Sequence, residues 1–130
     1  MKISVSQEQG RVPVTVFHIE GNLTSEEELQ EMARQAYEGG ARNILLDLSD
    51  VPFMASSGLR ALHYIYTLLR TDAPEESDGA VRKGIAAGTW TSPHFKLLKP
   101  NRNVLEVLRT TGYDMFLEIL TDHKRAIASF

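Results

Sequence analysis

The chain has 130 residues, of which 42% are hydrophobic and 24% charged, and its formal net charge is -3. This composition is typical of one globular domain, excludes a disordered chain, and lacks the basic character of a nucleic-acid-binding protein. The absence of cysteine excludes disulfides, thiolate metal sites and cysteine nucleophiles.

The N-terminal segment predicts a β-hairpin followed by a helix. Residues 2–8 and 12–19 partly alternate between apolar and polar types on either side of Gly10, which can supply the positive φ of a turn. Apolar residues from Leu29 to Tyr37 then recur at helical spacing. Thr24 or Ser25 is the expected N-cap of this helix.

A buried strand and a second helix are predicted next. Ile44–Leu48 is a short, mostly apolar run after a glycine-containing link, which indicates a buried parallel strand. The second helix has its inner face spaced from Leu59 to Leu69, and we expect Ser56 or Ser57 to cap it.

The second half of the chain is predicted to add two strands and two helices. Residues 70–83 and 89–102 are expected to be long loops. Asn103, with Glu106, is the expected cap of the first of these helices. The predicted elements are a strand at Gly84–Gly88, a helix at Val104–Thr111, a strand at Met115–Leu120 and a helix at Asp122–Phe130.

The order β-β-α-β-α-β-α-β-α predicts an α/β fold, with a mixed, mostly parallel central sheet, an N-terminal β-hairpin and about four helices. No segment approaches the roughly 20 apolar residues of a membrane span, and the N-terminus has no signal-peptide run. We therefore expect a single cytoplasmic domain over residues 1–130, without membrane insertion. The predicted core residues are Leu45, Leu46, Leu48, Leu62, Ile65, Ile85 and Leu108.

Motifs for catalysis or metal binding are scarce, and we expect no enzyme activity, cofactor or metal. The four histidines, at positions 18, 63, 94 and 123, lack the i, i+3 or i, i+4 spacing of a metal site on a helix. Asp47 lies near the carboxyl end of a predicted strand, where α/β proteins place their sites, but capping of the loop is the favoured interpretation. Trp90 and Phe95 form either an aromatic platform or a loop folded over the edge of the core.

The most informative segment is Val51–Leu59, where Ser56, Ser57 and a glycine lie at the start of an amphipathic helix. Helix N–H groups and the helix dipole favour an anion at such a place. A phosphate on a serine there would add about -1.5 to -2 charges to the surface. Helix capping by the serines is the simpler alternative on physical grounds.

The stretch Asn43–Leu62 resembles the signature of the STAS domain, a family that includes bacterial anti-sigma-factor antagonists. It contains D-L-S at Asp47–Ser49 and V-x-F-M-x-S-S-G-L at Val51–Leu59. Weaker similarity covers nearly the whole chain. The family's Asp before the serines is replaced by Ala55, and a second acidic position of the family is Thr24.

This resemblance implies a STAS-like fold and a regulatory protein–protein interaction. It implies Ser57 as the phosphate acceptor, with an anti-sigma factor of serine-kinase activity adding the phosphate and a PP2C-like phosphatase removing it. Two alternatives remain: a STAS scaffold that binds without phosphorylation, for example in a lipid-transport or signalling complex, and a small-molecule-binding domain or enzyme that uses Asp47 and the loop aromatics. The implied partner-binding positions are Thr24, Ala55, Ser56, Ser57, Gly58 and Arg60.

Overall fold

A five-stranded sheet forms the centre of the molecule, in a computed structural model that describes residues 1–70 and 91–130. Helices flank the sheet, and a 3₁₀ turn at Tyr113–Met115 leads into its last strand. The elements in chain order are β1 Lys2–Gln9, β2 Pro13–Glu20, α1 Glu27–Glu38, β3 Ile44–Asp50, α2 Ser56–Arg70, β4 Phe95–Leu98, α3 Arg102–Thr110, β5 Glu118–Leu120 and α4 His123–Ala128.

The strands lie in the order β1-β2-β3-β4-β5 across the sheet. The hairpin strands β1 and β2 pair antiparallel, and every later pair is parallel. Four α-helices connect or follow the strands in the described part of the chain. The predicted α/β class, with a mixed, mostly parallel sheet and an N-terminal hairpin, is therefore confirmed.

The two faces of the sheet are covered unequally. Because side chains alternate along a strand, β3 directs Ile44, Leu46 and Leu48 into a large core under α1, α2 and α3. Leu45 points to the other face, where a smaller cluster packs under α4. Six of the seven predicted core residues are fully buried, and the seventh, Ile85, lies outside the described residues.

The position of β4 differs from the prediction. The structure places this strand at Phe95–Leu98, within a stretch predicted to be loop, and the predicted strand at Gly84–Gly88 lies outside the described residues. All four residues of β4 are buried, including Lys96. The Lys96 Nζ donates to Ser129 O at 2.8 Å and lies 3.1 Å from Glu118 Oε1, so a charge is accommodated inside a strand.

Several predicted helix ends were also wrong, because the residues expected to cap lie before the cap position or inside the helix. Glu26, not Thr24 or Ser25, is the N-cap residue of α1 and makes no side-chain cap bond. Asn101, not Asn103, caps α3, its side chain accepting from Val104 N at 2.8 Å. The last strand begins at Glu118 rather than Met115, and α4 spans His123–Ala128 within the predicted final helix.

Candidate functional site

Two loops meet at the carboxyl end of β2 and β3. Leu23 N donates to Phe53 O at 2.9 Å, and Ala55 N donates to Leu23 O at 3.0 Å. These bonds form an isolated parallel bridge between Leu23 and Met54. The bridge brings together two of the predicted partner-binding positions, Thr24 and Ala55, because each directly follows a bridged residue.

The two serines lie in the first turn of α2, which begins at Ser56. Ala55 takes the cap position instead, since its carbonyl accepts from Gly58 N at 3.0 Å and from Leu59 N at 3.2 Å. The expectation that a serine caps α2 was therefore wrong. Ser56 is exposed and Ser57 is half-buried, and within the described part of the chain neither hydroxyl makes a hydrogen bond.

Position 58 has no space for a side chain, which explains why a glycine occupies it. A Cβ at this position would lie 2.8 Å from Met54 Cγ and 2.9 Å from both Leu23 Cγ and Leu23 O. Leu23 and Met54 are almost fully buried. The glycine therefore lets the start of α2 pack directly on the bridge. This contact fixes the position of the backbone next to Ser57.

Arg60 lies one turn beyond Ser57 but makes its ionic contact with another element. Its Nε donates to Glu26 Oε1 at 3.1 Å, which ties the second turn of α2 to the residue before α1. The other oxygen of Glu26 accepts from Gln30 Nε2 at 3.2 Å. Thr24, on the loop beside this pair, is exposed.

Asn101 supports the site and was not recognised in the sequence as part of it. While its Oδ1 caps α3, its Nδ2 donates to Val51 O and Pro52 O, both at 3.2 Å. The neighbouring Phe53 keeps half of its side chain exposed, at 50%. The only available sequence signal was an asparagine after a proline, which indicates a cap but not the bonds to the distant loop.

A second support comes from the 3₁₀ turn. The Tyr113 hydroxyl donates to Leu59 O at 3.0 Å, and burial raises the pKa of this phenol above its ordinary value. The same burial that raises this pKa favours the protonated phenol, which is the form that donates to α2.

The other candidate residues do not join this site. The Asp47 carboxylate accepts from Ser49 N at 3.0 Å, which is the loop-capping role that the sequence favoured. Phe95 is fully buried in β4, so it belongs to the core and not to an aromatic platform, and Trp90 lies outside the described residues. A cavity of about 610 Å³ opens elsewhere, between the hairpin and the link from α1 to β3, and Asp47 does not line it.

The four histidines lie on different parts of the fold: one in a strand, two in separate helices and one just before β4. His18 Nε2 is 2.7 Å from Asp50 Oδ2, and His123 Nε2 is 2.6 Å from Glu8 Oε2. Within residues 1–70 and 91–130, no three histidine or carboxylate side chains are grouped so that they could hold a metal ion. No helix in those ranges is long and apolar enough to cross a membrane.

Comparison with known families settles the relationship. Residues 5–73, which include both loops and α2, match the model of the STAS domain family. The chain belongs to the STAS family. No curated protein sequence matches this STAS domain significantly.

Solved structures share the fold of this STAS domain over almost its whole length. A structure described as a candidate anti-sigma factor antagonist from Thermotoga maritima aligns with a TM-score of 0.66 at 19% identity, covering 96% of this chain and 91% of the other. The unphosphorylated anti-sigma factor antagonist SpoIIAA aligns at 0.65 and 17% identity, covering 95% and 93%. The phosphorylated form of SpoIIAA, from Bacillus, aligns at 0.57 and 17% identity, covering 97% and 96%.

Proposed function

We propose that this STAS domain is a regulatory binding protein of the anti-sigma-factor-antagonist type. Its unmodified surface around Ser57 binds an anti-sigma factor that has serine-kinase activity. Phosphorylation of Ser57 by that partner ends the binding, and a PP2C-like phosphatase restores it. The protein itself catalyses nothing in this proposal, and binding in the cytoplasm is its activity.

The observation that carries the proposal is the setting of Ser57. Its hydroxyl makes no hydrogen bond within the described residues, and the residue is only half-buried in the first turn of α2. The backbone beneath it is fixed by the Leu23–Met54 bridge and by the close packing of Gly58. Such a hydroxyl is free to accept a phosphate without breaking an existing bond, and its rigid support suits a recognition surface. The similarity to SpoIIAA structures in both phosphorylation states supports this use of the fold.

The surface that we assign to the partner consists of Thr24, Ala55, Ser56, Ser57 and Arg60. Gly58, the sixth position implied by the sequence, is buried and supports this surface from below. Exposed Phe53 adds an aromatic side chain beside it. Exposed aromatic residues of this kind are common anchors of protein interfaces.

A second candidate function is a STAS scaffold that binds without phosphorylation. The observation that favours it is the lack of charge at Thr24 and Ala55, which the bridge places side by side. Without these carboxylates, the surface lacks two groups that the family is expected to present to a kinase.

The test begins with capture of the partner from the native cell and phosphosite mapping of the captured protein. Affinity for that partner is then measured for wild type, Ser57→Ala and Ser57→Asp. We expect Ser57→Ala to bind as wild type does, and Ser57→Asp to bind at least about 10-fold more weakly, because a new charge at the interface is desolvated and repelled. Ser6→Asp is the matched control, since it adds the same charge on an exposed serine of β1, outside the surface assigned to the partner.

Two results would separate the candidates. Phosphate on Ser57 in cells, together with selective loss of binding in Ser57→Asp, supports the antagonist. Equal affinity of all variants, with no phosphate on Ser57, refutes the switch and supports the scaffold.

A further inference from the structure

Arg60 and Glu26 form an ion pair between two elements at the edge of the candidate site. Arg60 Nε and Glu26 Oε1 are 3.1 Å apart, and the side chains are 59% and 31% exposed. The pair joins the beginning of α1 to the second turn of α2. An exposed pair with a single contact is weak, and pairs of this kind are worth about 0–1 kcal/mol. Arg60 can therefore leave Glu26 for another anion at a small cost in free energy.

Most of the N–H donors of Arg60 make no hydrogen bond within the described residues. A guanidinium has five N–H donors, and within residues 1–70 and 91–130 only the Nε of Arg60 donates. The sequence of α2, SSGLRALHYIYTLLR, contains no aspartate or glutamate. No carboxylate of its own helix therefore competes for the terminal N–H groups.

Ser57 lies within reach of those groups. It precedes Arg60 by one helical turn, and side chains at positions i and i+3 are neighbours, with Cβ atoms about 5–6 Å apart. Side chains in a helix also lean toward its N-terminus. An arginine side chain at position 60 is therefore long enough to reach the turn that contains the Ser57 hydroxyl.

A phosphate on Ser57 would compete with Glu26 for this guanidinium. Phosphate carries up to about two charges and three acceptor oxygens, and arginine binds it through two parallel N–H bonds. The existing contact to Glu26 uses one N–H and one carboxylate oxygen. The phosphate is thus expected to bind the guanidinium more strongly than the Glu26 carboxylate does.

We propose that phosphorylation of Ser57 transfers Arg60 from Glu26 to the phosphate, so that Arg60 positions the phosphate and the ionic link between α1 and α2 is lost. This inference rests on the proposed function, because it takes Ser57 as the modified residue. Glu26 is then left with Gln30 as its contact, beside Glu27 and Glu28 in the first turn of α1. One modification therefore adds charge at Ser57 and also uncovers negative charge on the neighbouring helix.

The first test is a phosphorus NMR titration of protein carrying phosphoserine at position 57, introduced by genetic encoding. The second pKa of a phosphoserine is ordinarily near 6. We expect the value in the Arg60 protein to lie about 0.15–0.4 of a pH unit below the value in Arg60→Gln, because a nearby cation favours the dianion. Arg60→Lys should recover part of the shift, because it keeps the charge and loses the two-bond geometry.

Arg34→Gln is the matched control, because Arg34 pairs with Glu31 and Glu38 within α1 and not with α2. It should leave the phosphate pKa unchanged. Equal phosphate pKa values in the Arg60 and Arg60→Gln proteins would overturn the proposal, since Arg60 would then not contact the phosphate.

The second test measures the loss of the original pair. Glu26→Gln should lower the urea midpoint of the unphosphorylated protein by more than that of the phosphorylated protein, because the contact with Gln30 and the place at the start of α1 are common to both forms. If Glu26→Gln changes the urea midpoint equally in both forms, or changes neither, the proposed exchange of partners is refuted. Because the phosphoserine is encoded directly, failure of a cellular kinase to modify Ser57 would refute the proposed function while leaving both of these results intact.

Discussion

Replacing Gly58 by alanine introduces a single methyl group at the point where α2 rests on the Leu23–Met54 bridge. The new Cβ would lie 2.8–2.9 Å from Met54 Cγ, Leu23 Cγ and Leu23 O. The third of these atoms cannot move freely, because Leu23 O accepts from Ala55 N. The side chains of Leu23 and Met54 are 0% and 2% exposed, so neither has solvent to move into.

The expected cost follows from two opposing terms. An extra methyl group in a packed core costs about 1–3 kcal/mol. Alanine recovers up to about 1 kcal/mol of helix propensity relative to glycine. We therefore expect Gly58→Ala to lower the free energy of unfolding by about 1–2 kcal/mol, which is about 4–8 °C in Tm for a chain of this size.

Urea and thermal unfolding of the purified variant measure this loss. Gly39→Ala is the matched control, because Gly39 has an ordinary helical φ of -77° and its new Cβ would meet only carbonyl oxygens at 3.4 Å. The control should unfold close to the wild-type midpoint or slightly above it. A Gly58→Ala protein as stable as wild type would refute the claim that packing, and not helix propensity, dictates glycine at this position.

Two further substitutions test the ends of the helices around the site. Ala55→Asp should raise the free energy of unfolding by about 0.5–1 kcal/mol in urea denaturation, because Ala55 occupies the cap position of α2 without a side-chain acceptor; a lower midpoint would show that the carboxylate does not reach the amides of the first turn. Asn101→Ala should cost about 1–2 kcal/mol, because it removes the cap of α3 and the bonds to Val51 O and Pro52 O. Asn101→Ser keeps a capping oxygen and loses only the donors to the loop, so a loss as large as that of Asn101→Ala would assign the effect to the loop contacts alone.

The interior of the fold could be predicted because it depends on local periodicity. Leu45, Leu46 and Leu48 are buried as their spacing indicates, and Leu62 and Ile65 face the core from α2. These patterns repeat within one element, so the sequence of that element is sufficient to recognise them.

The location of β4 could not be predicted in this way. Lys96 interrupts its apolar run, and prolines at positions 93 and 100 flank it, so the segment has the pattern of a loop. The lysine is stabilised by Ser129 and Glu118, which lie on other elements. Lys96, the polar residue that made this strand hard to predict, is thus explained only by contacts with residues that are distant in sequence.

The same reason accounts for the misplaced caps. Asn101 and Asn103 are equally suited to capping by local criteria, and Asn101 does so while also bonding to the loop after β3. The geometry of the candidate site is likewise non-local. The sequence identified Ser57 and Gly58, but the contact of Arg60 with Glu26 joins two elements with a strand between them.

The bridge between Leu23 and Met54 also has a genetic consequence. It makes positions 24 and 55 physical neighbours, although a helix and a strand separate them along the chain. Substitutions at neighbouring positions do not add independently, so variation at these two sites is epistatic. A carboxylate at one position makes a second carboxylate at the other more costly, because like charges held side by side repel. The effect of a substitution at Thr24 on the surface around Ser57 therefore depends on which residue occupies position 55, and the reverse also holds.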